Sequence, residues 1–142
     1  MLEIKIDDVP AGVPVTVMRL AGELDASCYQ DVISKARSLY ENGKRNLLLD
    51  LSNLSFMASS GLVSLYNLAI IMRGEQVTPE QSSWNALHEI RGQISSAMVK
   101  EQQFKLLTPQ PRILKTLKMT GFDQFLDVYF EEVQAINSFQ EA

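Results

Sequence analysis

The stretch "LSNLSFMASSGLVSLYNL", from Leu51 to Leu68, joins a strand-like segment to a helical pattern through two serines and a glycine. Just before it, Leu47 to Leu49 form an unbroken apolar run that cannot alternate between core and solvent, which predicts a central strand covered on both faces. After it, one broad helical face carries Leu62, Leu65, Leu68, Ala69 and Met72. The outer side of the same helix is expected to carry Tyr66, Asn67 and Arg73.

The serines at this junction allow three interpretations. The hydroxyl can cap the helix by accepting from its first free N–H groups. A nucleophilic serine needs a nearby base, but His88 is the one histidine and the sequence Ala58-Ser59-Ser60-Gly61 is not G-x-S-x-G. A phosphoserine would sit at the positive end of the helix dipole and change what docks there. These residues argue against a hydrolase and leave the cap and the modification site open.

The segments before the junction predict a hairpin and a helix. "LEIKI" alternates apolar and charged residues, and "VTVMRLAG", with a strand from Val15 to Ala21, is close enough to pair with it. A helical pattern then runs from Tyr29 to Tyr40. Its start is predicted either at Asp25 as N-cap or at a capping box of Ser27 and Gln30, and Gly43 is its predicted stop.

The segments after residue 103 continue the alternation of strands and helices. A strand is predicted at Phe104 to Leu107, followed by a helix capped by Thr108 and ended by Gly121, then a strand "LDVYF" and a helix "EEVQAINSF". The predicted fold class is therefore α/β, a mixed β-sheet with an opening hairpin and packed α-helices. The predicted core includes Leu47, Leu49, Leu62, Leu65 and Leu114.

Residues 74–103 do not fit a compact α/β unit, since such a long connection between a helix and a strand is unusual. "WNALHEIRGQISSAMVKEQQ" within it predicts an extra helix, weakened by Gly92. We interpret the segment as an insertion within one domain spanning residues 1–142.

Composition excludes several function classes. The net charge of −4 argues against nucleic acid as the main partner, and His88 has no Cys/His cluster beside it that predicts a metal site. No phosphate-binding loop or other cofactor motif occurs, and no apolar run is long enough to insert into a membrane. Cys28 is the only cysteine, which is compatible with a reducing, cytoplasmic location.

Three segments in this order resemble the STAS domain, the domain of bacterial anti-sigma factor antagonists and of sulfate transporter tails. They are "GELD" at Gly22 to Asp25, "LLLDLSNLSFMASSGLVSLYNL", and "FKLLTPQPRILKTLKMTGFDQFLDVYF". The resemblance runs from about Leu2 to Phe130, apart from residues 74–103. Its most specific element is "LSFMxSSGL".

The resemblance implies a stand-alone, non-catalytic regulatory module without metal or cofactor. Signalling members of the family bind a partner that is both an anti-sigma factor and a serine kinase. Ser59 takes the position of the serine that this kinase modifies, and Ser60 is the next hydroxyl. The implied partner-binding residues are Gly22, Glu23, Asp25, Ala58, Ser59, Ser60 and Gly61.

One position departs from the family pattern, because Ala58 stands where the family usually has aspartate. Loss of this carboxylate bears on recognition by the kinase, and it also removes a like charge beside a phosphate.

Two other functions stay open. The chain resembles stand-alone STAS subunits of lipid-transport ATPase complexes or stress-signalling scaffolds, and STAS domains linked to nucleotides or other small molecules. Oligomeric state is open as well.

Overall fold

A computed structural model of the chain describes residues 2–75 and 101–140. Its regular elements in chain order are β1 (Leu2–Val9), β2 (Val15–Leu24), α1 (Tyr29–Glu41), β3 (Leu47–Met57), α2 (Ser59–Met72), β4 (Phe104–Leu107), α3 (Pro111–Thr120), a 3₁₀ turn (Phe122–Gln124), β5 (Val128–Tyr129) and α4 (Glu132–Gln140). The strands form one sheet in the order β1-β2-β3-β4-β5. β1 and β2 are antiparallel, and the remaining neighbours are parallel. The mixed α/β sheet with its opening hairpin is confirmed.

Both faces of the sheet are covered, as the leucine run predicted. Leu47 and Leu49 join the larger core with α1, α2 and α3, whereas Leu48 joins a smaller cluster with Ala135 and Phe139 of α4 on the opposite face. All three leucines are buried. A strand whose successive side chains all enter a core reads as a continuous apolar run.

An ion cluster on the α4 face holds that helix against the hairpin. Arg19 of β2 contacts Glu132 at 2.7 Å, Asp7 of β1 at 2.7 Å and Asp50 of β3 at 3.0 Å. The hydrogen bonds to Glu132 and then Asp7 raise the pKa of Arg19, and the bond to Arg19 lowers the pKa of Asp7. Arg19 therefore connects two strands and the last helix through charge-assisted hydrogen bonds.

Helix α2 is more deeply buried than its sequence pattern predicted. Every residue from Ser60 to Met72 is buried. The prediction that Tyr66 and Asn67 lie on an exposed side is wrong, since their exposed fractions are 4% and 0%, while Arg73 is exposed as expected. A helix with apolar residues all round its axis is typical of a buried element, and this apolar character outweighs the polar groups of Tyr66 and Asn67.

The start of α3 also differs from its prediction. Thr108 does not cap the helix; it lies in the left-handed region at φ 47°, and Gln110 occupies the N-cap with Pro111 as the first helical residue. Gly121 ends the helix in the left-handed conformation, as predicted. Leu114 is half-buried instead of core, because the buried stripe of this helix runs through Ile113 and Leu117. The other four predicted core leucines, Leu47, Leu49, Leu62 and Leu65, are buried.

Only the two ends of the predicted insertion belong to the described residues. At one end, Arg73 contacts Glu75 at 3.2 Å, and at the other it contacts the buried carboxylate of Glu101 at 3.4 Å. The backbone N–H of Glu101 donates to the carbonyl of Phe125. The predicted extra helix, with Trp84 and His88, lies outside the described residues.

Candidate functional site

The "GELD" turn and the serine junction meet where β2 and β3 end side by side. Leu24, the last residue of β2, is in register with Met57, the last residue of β3. The backbone N–H of Ala58 then donates to the carbonyl of Leu24 at 2.9 Å. Since neighbouring parallel strands end at the same edge of a sheet, two segments more than thirty residues apart in sequence become one surface.

Gly22 lies at an irregularity in this edge. Its φ of 110° is left-handed, and the β2–β3 register shifts between Gly22 and Glu23. The hydroxyl of Ser55 donates to the carbonyl of Gly22 at 3.0 Å. A residue without Cβ permits this bulge, which re-aims the chain that follows. Beyond it, Glu23 is exposed and Asp25 is half-buried.

Asp25 organises the turn that leads into α1. Its carboxylate accepts from the hydroxyl of Ser27 at 2.5 Å and from the backbone N–H of Ser27 at 2.9 Å. These bonds lower the pKa of Asp25, the hydroxyl contributing most. The N-cap of α1 is Cys28, without a side-chain cap bond, so both predicted caps of this helix are wrong. Asp25 stabilises a turn that leads into this cap, since its carbonyl accepts from the backbone N–H of Cys28 at 3.2 Å.

Helix α2 begins with an alanine N-cap. Ala58 has φ −78° and ψ 174°, the extended conformation usual at an N-cap, and no side-chain cap hydrogen bond is formed. Its carbonyl accepts from the N–H of Gly61 at 2.9 Å. Ser59 is the first helical residue, so neither serine occupies the capping position. The interpretation of the junction serines as N-caps is therefore wrong.

The two serines have opposite environments. Ser59 is exposed at the first position of α2. Ser60 is 5% exposed, and its buried Oγ has no hydrogen-bond partner among the described residues. A hydroxyl that reacts with another protein must be reachable from solvent, so the geometry distinguishes Ser59 from Ser60.

Gly61 allows α2 to approach the strand ends closely. A Cβ at this position would overlap Cγ of Met57 and would lie 3.2 Å from Cδ2 of Leu24. Any larger residue forces the first turn of α2 away from the sheet or displaces these two side chains. Gly61 thus positions the preceding serines relative to the "GELD" turn.

The structure adds one exposed residue that the sequence analysis did not single out. Phe56 is 41% exposed and in register with Glu23. The pairing of β3 with β2 shifts register just before Phe56, so alternation of apolar and polar residues along "LSNLSFM" does not predict that Phe56 is exposed. An exposed aromatic group therefore lies beside the two predicted segments.

The described residues show little that would suit a metal ion or a membrane, and they form a cavity at a distance from the strand–helix junction. Within residues 2–75 and 101–140 no group of three or more His, Cys, Asp or Glu side chains could hold a metal ion. A membrane-spanning helix is likewise not found in that part of the chain. A cavity of about 550 Å³ lies at the opposite end of the sheet, lined by residues that include Pro10, Pro14, Thr16, Asn42 and Asn46.

Comparison with known families decides what this arrangement belongs to. A family model of the STAS domain matches residues 6–78, more than half of the chain. The chain belongs to the STAS domain family. The match spans the "GELD" turn, the serine junction and α2, the same elements that meet at the edge of the sheet. The resemblance noted from the sequence is confirmed.

Solved STAS-like structures share the fold at low sequence identity. An anti-sigma factor antagonist from Mycobacterium paratuberculosis superposes with a TM-score of 0.66 at 18% identity, covering 99% of this chain and 95% of that one. The unphosphorylated form of the anti-sigma factor antagonist SpoIIAA superposes with a TM-score of 0.61 at 19% identity, covering 97% of this chain and 98% of that one. The phosphorylated form of the Bacillus cell fate determinant SpoIIAA superposes with a TM-score of 0.53 at 20% identity, covering 95% of this chain and 97% of that one. A search of curated proteins found no match.

Proposed function

We propose that this STAS domain is a non-catalytic regulatory module that binds an anti-sigma factor with serine kinase activity. The binding surface comprises Gly22, Glu23, Asp25 and the segment Ala58–Gly61. The hydrogen bond from Ala58 to Leu24 supports this proposal, because it joins the two segments into one surface. Solved structures of similar fold are described as anti-sigma factor antagonists. A cytoplasmic location is part of the same proposal.

Ser59 is the proposed phosphoacceptor within this surface. It is exposed at the N-terminus of α2, where backbone N–H groups and the helix dipole favour a phosphate. Ser60 is a poor acceptor because its hydroxyl is buried. A phosphate on Ser59 adds about −1.5 to −2 charges to the proposed binding surface, which also carries Glu23 and Asp25. It would act at the interface, where the added charge must be desolvated or opposed.

The alternative functions have less support. The cavity of about 550 Å³ lies at the end of the sheet away from the strand–helix junction, and its described lining carries no feature specific for a nucleotide or lipid. Membership of a larger complex was favoured by the predicted insertion, most of which, residues 76–100, lies outside the described residues. The exposed serine beside a carboxylate-bearing turn favours the switch over either alternative.

The test combines phosphorylation with a binding titration. The purified chain is incubated with ATP and each anti-sigma factor kinase of its source organism, and the modified residue is located by mass spectrometry. We expect phosphate on Ser59, none in Ser59→Ala, and unchanged binding of Ser59→Ala to that kinase. Ser59→Asp is expected to weaken binding at least tenfold.

Ser38→Asp is the matched control, since it adds the same charge at an exposed position on α1. It should bind as the parent does. Equal affinity of the parent and Ser59→Asp for the kinase, with no phosphate on Ser59, would reject the switch. Phosphate found on Ser60 instead would show that the proposed acceptor is wrong.

A further inference from the structure

The first strand lies at an open edge of the sheet. Among the described residues, β2 alone pairs with β1, over its full length from Leu2 to Val9. Consecutive residues of an antiparallel strand direct their N–H and C=O groups to opposite sides. Alternate residues of β1 therefore direct these groups away from β2, and such an edge is a template for another strand.

This edge carries few of the features that usually prevent strand addition. β1 contains no proline, and its pairing with β2 has no register shift. On one face, Leu2, Ile4 and Ile6 pack against the main core but stay half-buried. On the other face, Glu3 and Lys5 are exposed. An added strand would cover apolar surface on the first face and meet a pair of opposite charges on the second.

The charge pattern is complementary to itself in one symmetric register. A two-fold axis perpendicular to the sheet pairs β1 with a second antiparallel β1 and keeps each side chain on its own face. With the axis at Ile4, Glu3 of each copy lies opposite Lys5 of the other, and Leu2 lies opposite Ile6. Opposite charges and apolar pairs directly across two strands are favourable.

The neighbouring symmetric registers are unfavourable. An axis at Lys5 opposes that residue with its own copy and Glu3 with Asp7, and an axis at Glu3 opposes two glutamates. An axis at Ile6 matches Lys5 with Asp7 but places Ile4 opposite Asp8. Asp7 is also already bound by Arg19 at 2.7 Å. Charge and apolar pattern together select the axis at Ile4.

We propose that two copies of this chain dimerise through β1, antiparallel and with Ile4 on the two-fold axis, to form one continuous sheet. The axis reverses the strand direction between the copies. The strand ends next to Ser59 then point in opposite directions in the two copies. The helical layers of the two copies stay on the same side of the continuous sheet. The dimer would leave both candidate partner surfaces open, so this inference does not depend on the proposed function.

The test is a charge exchange read out by sedimentation equilibrium from micromolar to millimolar protein. The parent chain is expected to form a concentration-dependent dimer. Lys5→Glu places two carboxylates opposite each other twice per dimer, so we expect its dissociation constant to rise about tenfold or more. The double variant Glu3→Lys/Lys5→Glu re-creates the opposite-charge pairs and should restore the parent value.

Lys35→Glu, at an exposed position of α1, is the control for the change in net charge and should dimerise as the parent does. Circular dichroism and thermal melting confirm that each variant is folded. A parent that stays monomeric across the range overturns the proposal. Equal dissociation constants for the parent and Lys5→Glu would place the interface elsewhere and overturn it too. Failure of the double variant to restore dimerisation has the same consequence.

Discussion

The alanine at the start of α2 provides a direct test of the capping geometry. Ala58 already has the extended conformation of an N-cap but supplies no side-chain acceptor. In Ala58→Asp, a carboxylate oxygen can accept from the N–H groups of the first turn without any change in the backbone. We expect this substitution to stabilise the folded chain.

The expected gain follows from two favourable effects and one opposing effect. The side-chain hydrogen bond of an aspartate N-cap contributes about 1 kcal/mol, and the attraction of the carboxylate to the helix dipole adds about 0.5 kcal/mol. Repulsion from Glu23 and Asp25 on the adjoining turn offsets part of this gain. We expect a net increase of about 1 kcal/mol in the free energy of unfolding, and hence a Tm higher by roughly 3–5 °C.

The pH dependence identifies the mechanism. Hydrogen bonds from the helix N–H groups lower the pKa of the new carboxyl below its unfolded value of about 3.9. A lowered pKa means that the gain is present above the unfolded pKa and is lost as the pH falls through the folded pKa. Ala58→Asn caps without charge, so its gain should persist in acid.

The measurement is thermal and urea unfolding of the parent, Ala58→Asp and Ala58→Asn at neutral pH and in acid. Both variants should exceed the parent at neutral pH, and only Ala58→Asn should do so in acid. If both melt at or below the parent temperature at neutral pH, Ala58 is not a vacant capping position, and the account of the start of α2 is wrong.

Three further perturbations test the packing around the site and the core. Gly61→Ala should destabilise the chain by about 1–3 kcal/mol in urea unfolding because its Cβ overpacks the strand ends; unchanged stability would contradict the close approach. Leu49→Ala should cost about 2–5 kcal/mol, and melting like the parent would show that the central strand is misassigned. Replacing residues 76–100 by a Gly/Ser linker should preserve cooperative unfolding, because the Arg73–Glu101 contact brings the two ends together; loss of the transition would show that the core needs the segment.

The parts of the fold that the sequence predicted are those in which local pattern and burial agree. The leucines from Leu47 to Leu49 favoured a strand covered on both faces, and the structure has this strand. Gly121 ends α3 because a left-handed residue without Cβ is an inexpensive helix stop. Thr108 was mispredicted because a threonine before two prolines looks like an N-cap, while the chain takes two more residues to turn into the helix.

Tertiary packing decides the features that the sequence could not predict. Asn67 is fully buried although its amide suggests a surface position. The exposure of Phe56 depends on irregular pairing in β3, which leaves no local signature. The spacing of Ser59, Ser60 and Gly61 predicted the strand–helix junction, but only the backbone geometry shows which serine is exposed and that Ala58 holds the capping position.

The departure at Ala58 affects the proposed switch through the same N–H groups. An aspartate N-cap would occupy donors of the first turn permanently and would place a negative charge next to Ser59. With alanine there, those donors have no acceptor from the N-cap side chain, and no like charge from that position opposes a phosphate. A phosphate on Ser59 would therefore gain more from the helix end in this chain than in a relative with aspartate. The missing carboxylate weakens any kinase contact that depends on it, but it leaves the helix end better suited to hold the modification.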